Sequence, residues 1–289
     1  MRATAETPEE LLRNADVAMY VAKAAGGGAV VFEEWMHERL TSRLTLESDL
    51  RHALQRDELE VHYLPVVDLH TQHVVGAEAL VRWRHPERGL LAPDSFLAVA
   101  EETGLIVPLG RHVLEVAARQ AQSWRAAGVT GTQFSIAVNV SARQLREPDL
   151  VTVMDGVLAR SGLPPSALLL EITESVLLQD DDATMASLHQ LRGLGVRLAI
   201  DDFGTGYSSL SYLRRLPIDV LKIDKTFVDD VVDSTQAEAV VRTIVSLSEA
   251  LHLETIAEGV EDTAQLQALR CLGSTRAPGV PLLPAPPGR

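Results

Sequence analysis

The stretch VRLAIDDFG, residues 196–204, sets a short apolar run directly before two adjacent acids and a glycine. A β-branched and aliphatic run of that length suits a strand buried on both faces. Asp201 and Asp202 then stand at its C-terminal end. Similar runs recur along the chain: LEVHYLPVV from Leu59, VVGAEALVRW from Val74, FSIAVNV from Phe134, LLLEIT from Leu168, VLKI from Val220 and ETIAE from Glu254. Amphipathic stretches separate them, among them GRHVLEVAARQAQSWRAAG (110–128), PDLVTVMDGVLARSG (148–162), DDATMASLHQLRGLG (181–195) and TQAEAVVRTIVSLSEALH (235–252). Alternation of apolar strands with helices signals a parallel sheet covered by helices. Seven such strands, with an eighth expected, predict an α/β protein with a TIM-like (β/α)8 barrel rather than an open sheet.

Polar residues cluster late in these runs: Glu78, Asn139, Glu171, Asp201 with Asp202, Lys222 and Glu258. Parallel barrel strands point one way, so these side chains converge on the C-terminal rim, where barrel enzymes place their chemistry. One acid at a strand end is ordinarily a helix cap or loop hydrogen-bonder. Several on separate strands are different, because two carboxylates about 4 Å apart repel by roughly 4 kcal/mol at an effective dielectric near 20. Either some are protonated or cations sit among them, and the second is the more economical reading. The donors are all oxygen, which suits Mg2+ or Mn2+ rather than zinc or copper. An adjacent Asp201–Asp202 pair, able to bridge two ions, outlines a two-metal phosphoester site. Lys222 either orients the attacking water, neutralises transition-state charge, or is a buried structural ion pair. Gly204 and Gly206 follow the strand but do not make a GxGxxG loop, so a loop that closes over substrate is the better reading.

Bulk properties narrow the classes. The 289 residues carry 26 basic and 40 acidic side chains, a net charge of −14, which argues against a DNA or RNA polymer as partner. Apolar residues at 46% and charged residues at 23% are those of a globular soluble protein. The single cysteine, Cys271, excludes an internal disulfide and a cysteine-based zinc site, and the histidines show no HExxH. The opening MRATAETPEE lacks a signal peptide's apolar core, and no apolar run approaches the ~18 residues of a membrane span, so a cytoplasmic setting without membrane insertion is expected. Residues 8–33 read as a helix, a glycine break and a short strand AVVFE, too little to bury a core alone. Residues 34–56 read as a charged helical connector with a solvated face.

The region from Leu59 to Gly273 resembles the EAL family of c-di-GMP phosphodiesterases. The naming motif stands as Glu78-Ala79-Leu80-Val81-Arg82. N-V-S at 139–141, E-I-T-E at 171–174, D-D-F-G-T-G at 201–206, K-I-D at 222–224 and E-G-V-E at 258–261 follow in family order. The resemblance implies a barrel over 57–273 whose first strand runs against the others, and hydrolysis of cyclic di-GMP to linear pGpG at two Mg2+ or Mn2+ ions. It implies metal ligands at Glu78, Asn139, Glu171, Asp201, Asp202 and Glu258, with Lys222 near the nucleophilic water. It further implies substrate contacts from Arg82 and Gln144, and a brace from Glu174 to the loop after Asp202. NADVAMYVAKAAG (14–26) resembles the end of a GGDEF domain, which makes 1–33 its remnant, without the cyclase signature.

Two positions depart from the family pattern. Leu64 replaces a glutamine in the first strand, which removes a hydrogen-bonding group and costs about 1–3 kcal/mol of ligand affinity. Pro278 takes the place of a glutamine expected in strand eight, within an aberrant tail, 274–289, that carries five prolines. Prolines lack a ladder donor, so the last strand and helix are expected to be missing or altered. Strands one and seven would then expose edges that invite aggregation or a homodimer, and stability and turnover would fall. Two rival functions follow: a degenerate module that binds c-di-GMP or partners without cleaving, and an unrelated metal-dependent barrel that stabilises an enolate. Ala277-Pro278-Gly279-Val280-Pro281-Leu282 matches A-Q-G-Y-L-F read with one extra cytosine. Sequencing through this region tests the frameshift: Q-G-Y-L/F in the neighbouring frame is expected, and its absence rules the idea out.

Overall fold

The computed structural model describes residues 7–24, 27–131, 133–177, 182–206 and 213–279. Its strands are β1 Leu59–Asp68, β2 Val74–His85, β3 Gly89–Leu91, β4 Ser135–Asn139, β5 Leu168–Thr173, β6 Arg197–Phe203, β7 Val220–Ile223, β8 Glu254–Ala257 and β9 Arg276–Pro278. They form one sheet in the order β1-β9-β8-β7-β6-β5-β4-β2-β3, and the pairing of β1 with β2 closes it into a barrel. β3 is a short hairpin arm on β2 and lies outside the ring. β1 runs antiparallel to both neighbours, while the pairs from β2–β4 round to β8–β9 are parallel.

Strand alternation builds the barrel in layers. Ala137, Leu169, Ala199, Val220 and Ile256 form a buried cluster of their own, the inner plug. Their sequence neighbours Ile136, Val138, Leu168, Leu170, Leu198, Ile200, Leu221 and Ala257 join the larger cluster between sheet and helices. Because side chains alternate faces, the residue two places after each plug residue points inward one layer higher. Those residues are Asn139, Glu171, Asp201, Lys222 and Glu258. The helix Ile106–Ala126 covers the outside with Leu109, Val113, Leu114, Ala117, Ala118 and Ala121 buried. The helix Thr235–Ala250 does the same with Val241, Ile244 and Val245, and starts at Ser234, whose hydroxyl accepts the Ala237 N–H.

The N-terminal region differs from the sequence expectation in one respect. Residues 8–24 are helical, but AVVFE (29–33) belongs to no strand, since a ladder needs a neighbouring strand and no described segment pairs with it. Val30 and Phe32 pack instead around Val17, Ala18 and Met36. The stretch read as a connector contains the helix Glu34–Ala53. Its second half is part of the barrel's core, with Leu50 fully buried, while Glu47 and Arg51 pair one turn apart at 3.1 Å on its polar side. No described helix is long and apolar enough to cross a membrane.

The missing eighth strand is corrected by the structure. β9 pairs with β1 through Val66–Pro278, Val67–Ala277 and Asp68–Arg276, and with β8 through Ile256–Arg276. The Gly279 N–H donates to Pro65 O at 2.9 Å and the Leu69 N–H to Thr275 O at 2.9 Å. In an antiparallel pair alternate residues exchange hydrogen bonds, so these two bonds place Pro278 at a non-bonded position facing β1. Its missing N–H therefore costs this ladder nothing. Arg276 anchors the strand to Glu254 at 3.0 Å, a carboxylate that Arg197 also holds at 2.8 Å. The edges expected to be open are paired, which removes that reason for a homodimer; residues 280–289 of the proline-rich tail lie outside the described residues.

Ala277 is fully buried in the main core. Ala277→Asp should therefore lower the unfolding free energy by about 3–5 kcal/mol in urea, as an uncompensated buried charge does. A change below roughly 0.5 kcal/mol, typical of a surface site, would show that this strand does not close the barrel.

Candidate active site

Lys222 on β7 is buried, and its ammonium lies inside a ring of carboxylates. Nζ stands 2.7 Å from Glu258 Oε1, 2.9 Å from Glu171 Oε2, 3.0 Å from Asp201 Oδ1 and 3.9 Å from Glu78 Oε2. Asn139 joins through Nδ2, which donates to Glu78 Oε1 at 3.1 Å and leaves the amide oxygen for another partner. Each of these residues sits on a different strand or strand end, so no two are neighbours in sequence. The barrel alone brings them together.

Asp202 needs a further device. In a regular strand Asp201 and Asp202 would face opposite sides of the sheet. The β6–β7 register breaks between Ile200 and Phe203, and Asp202 takes φ 55°. Such a bulge re-aims a side chain beside a site. One carboxylate oxygen each from Asp201, Asp202 and Glu258 thus lie within 4.8 Å of one another. The turn that follows is tied down: Thr205 Oγ1 donates to Asp202 O at 2.8 Å, and the Gly204 N–H donates to Glu174 Oε2 at 2.9 Å. Glu174 is buried at the start of the short helix Glu174–Leu177, and a Cβ on Gly206 would meet its Oε1 at 2.5 Å. The loop's remaining residues, 207–212, lie outside the described residues.

The electrostatics are those of a site short of positive charge. Burial holds Glu171 well above the usual carboxylate range; Lys222 pulls it down, but Glu78 and Asp201 push it up. Burial likewise lifts Glu258 from 4.5 to about 7, despite the contact with Lys222. Asp202 is raised by burial, then by Asp201 and Asp224. Burial alone would lower Lys222, yet Glu171, Asp201, Glu78 and Glu258 together hold it well above its ordinary value. Glu78, Glu171, Asp201, Asp202 and Glu258 against one lysine leave the ionised cluster four charges negative. Protons or cations must supply the difference. An all-oxygen donor set with three carboxylates this close fits a hard divalent cation.

Arg82 and Gln144 are placed apart from the ring. Arg82 lies two alternations along β2 from Glu78, with Nη1 donating to Val81 O at 2.9 Å. Gln144 is buried in a capping box: Oε1 accepts the Ser141 N–H at 3.1 Å and Ser141 Oγ accepts the Gln144 N–H at 3.3 Å. Gln144 nevertheless lines a cavity of about 470 Å3, together with Leu80, Leu97, Glu101, Asn139 and Glu171. Leu64 lies directly across from Glu78 in the β1–β2 register, and Pro278 borders a small void with Glu78, Glu171 and Lys222. Asp224 was not singled out by the sequence reading, although it stands two residues past Lys222. Its carboxylate helps to raise Asp202, and it caps the next helix by accepting the Thr226 N–H at 2.9 Å.

Residues 47–282 match the family model described as the EAL domain. Over 275 residues the chain is 45% identical to the bifunctional diguanylate cyclase/cyclic di-GMP phosphodiesterase MucR of Pseudomonas aeruginosa, covering 95% of this chain and 40% of that protein. It is 43% identical over 256 residues to the cyclic di-GMP phosphodiesterase PdeR of Escherichia coli, covering 88% of this chain and 38% of that one. The chain thus spans about two fifths of the length of these relatives. Among solved structures, the PaMucR phosphodiesterase in complex with c-di-GMP superposes with a TM-score of 0.77 at 46% identity, over 81% of this chain and 94% of that one. The ring of acids around Lys222 is therefore carried on a known scaffold, and the chain belongs to the EAL domain family.

Proposed function

We propose that this chain is a metal-dependent phosphodiesterase that hydrolyses cyclic di-GMP to linear pGpG. The observation that carries the reading is the four-charge deficit around Lys222, inside a barrel whose relatives are named for this reaction. Glu78, Asn139, Glu171, Asp201, Asp202 and Glu258 would hold two Mg2+ or Mn2+ ions. Bound divalent cations supply Lewis-acid charge for attack of water on a phosphodiester. Lys222 keeps Glu171, Asp201 and Glu258 on one centre and presents the site's own positive charge where phosphoryl oxygen charge develops. Glu258, which burial raises to about 7 with no ion bound, would give up its proton when a cation takes its place. Glu174 keeps Asp202 aimed by fixing the backbone at Gly204. The neighbouring cavity of about 470 Å3, lined by Gln144, has the size of a small-molecule site; Gln144 and Arg82, which lies outside that lining, are the candidate substrate contacts. Residues 1–33 keep the reading of a GGDEF-like remnant; Leu11, Leu12, Met19 and Val31 leave apolar side chains exposed there.

Incubating purified protein with c-di-GMP and Mn2+ or Mg2+ should yield pGpG, and chelation should abolish it. Asp201→Asn should lower turnover by more than the roughly 10–100-fold of a residue that only supports a ligand. Binding without product would select the non-cleaving module instead.

The pH dependence has a defined sign. Glu258 holds its proton in the folded metal-free state up to about 7, against 4.5 ordinarily. Between these values the folded state binds more protons than the unfolded one, so this group's contribution to stability falls as pH rises from 4.5 to about 7. Glu258→Gln should flatten that slope in melting curves, and cation affinity should rise with pH through about 7 in the unsubstituted protein. Metal affinity independent of pH across this window would contradict the assignment.

A further inference from the structure

Glu258 stands past the end of its strand. β8 closes at Ala257, whereas Glu78, Asn139, Glu171, Asp201, Asp202 and Lys222 lie within strands. Ladder hydrogen bonds, or the bulge at Asp202, aim those side chains, but residues 259–261 belong to no helix or strand. One backbone bond ties Glu258 itself, from its N–H to Ile223 O at 3.0 Å. Something else must set the direction of the turn that follows.

Lys225 lies across that turn. Its Nζ donates to Glu261 Oε1 at 2.6 Å and to Asp229 Oδ1 at 2.8 Å, joining the loop after β8 to the helix after β7. Its aliphatic stem passes over Gly259: a Cβ there would lie 2.8 Å from Lys225 Cβ and Cδ, closer than real Cβ contacts come. Gly259 also has φ 67°, a backbone region that L side chains rarely adopt. Gln265 holds the far end, accepting the N–H groups of Glu261 at 2.8 Å and Asp262 at 3.2 Å. Lys225 and Glu261 are exposed, 46% and 72% at their side chains. Exposed pairs of this kind contribute little to global stability. Their effect is therefore local, on where the loop sits.

We propose that Lys225 is a positioning residue for Glu258: its stem over Gly259 and its paired ammonium hold the 258–261 turn so that the Glu258 carboxylate meets Lys222, Asp201 and Asp202. The inference rests on the metal-dependent reading above. Supporting residues of this kind change metal affinity or activity by roughly 10–100-fold when removed.

The test is calorimetric titration of Mn2+ into metal-free protein, comparing the unsubstituted chain with Lys225→Ala, Lys225→Met and Arg242→Ala. The last removes an exposed pair with Glu238, on the helix Thr235–Ala250. Lys225→Ala should bind Mn2+ about tenfold more weakly. Lys225→Met, which keeps the stem, should fall between Ala and Lys, and Arg242→Ala should match the unsubstituted protein. Melting temperatures should agree, and kcat with c-di-GMP should drop while KM holds. Equal Mn2+ affinity in all four proteins overturns the positioning role, as does an equal loss in Arg242→Ala. Should Lys225→Ala not fold, Lys225→Met decides on the same criterion. No Mn2+ binding by the unsubstituted protein would instead sink the metal reading, so the two failures are separable.

Discussion

Everything in this molecule is arranged around carboxylates that repel one another inside a barrel too narrow to let them part. Lys222 is the one cation of the described residues placed among them, and a single ammonium cannot balance the ring. Two such acids about 4 Å apart cost roughly 4 kcal/mol at an effective dielectric near 20. Five acids against one ammonium leave that repulsion unbalanced, so the site must take up protons or cations. The raised positions of Glu171, Asp202 and Glu258 express the first answer, and cation binding is the second.

The fold delivers this crowding by simple periodicity. Asn139, Glu171, Asp201, Lys222 and Glu258 each follow a plug residue by two places, as in Ala137 to Asn139 and Val220 to Lys222. The plug fixes the lower layer, and the alternation of the strand fixes the upper one. Precision then comes from features outside the ladders. The left-handed Asp202 turns a second acid inward, Glu174 holds the backbone after it, and Lys225 crosses the turn after Glu258. Rigid strands carry most of the ring, while braces aim the residues at its rim.

Much of this was legible in the sequence because a period of two and a strand-end acid are both local signals. VRLAIDDFG and its counterparts gave the strands, the inward face and the converging ring, and the ordered blocks from Glu78 to Glu261 gave the family. The bulge at Asp202 was not legible, since a positive φ on aspartate follows from the register with β7 rather than from its neighbours. Nor was the closing strand. Pro278 reads as a strand breaker until its register with Val66 shows that its missing N–H faces away from β1. The segment AVVFE erred the other way, with strand-forming residues that find no partner among the described residues. Asp224 was quoted within its motif but given no role, because its electrostatic effect on Asp202 depends on how β6 and β7 meet.

A crystal grown with Mn2+ and measured at the manganese absorption edge would examine the charge balance directly. The account predicts anomalous density bounded by Asp201, Asp202 and Glu258, with a second peak towards Glu78, Asn139 and Glu171. A map with no peak there, and with Lys222 still the sole cation inside an intact ring, would contradict it.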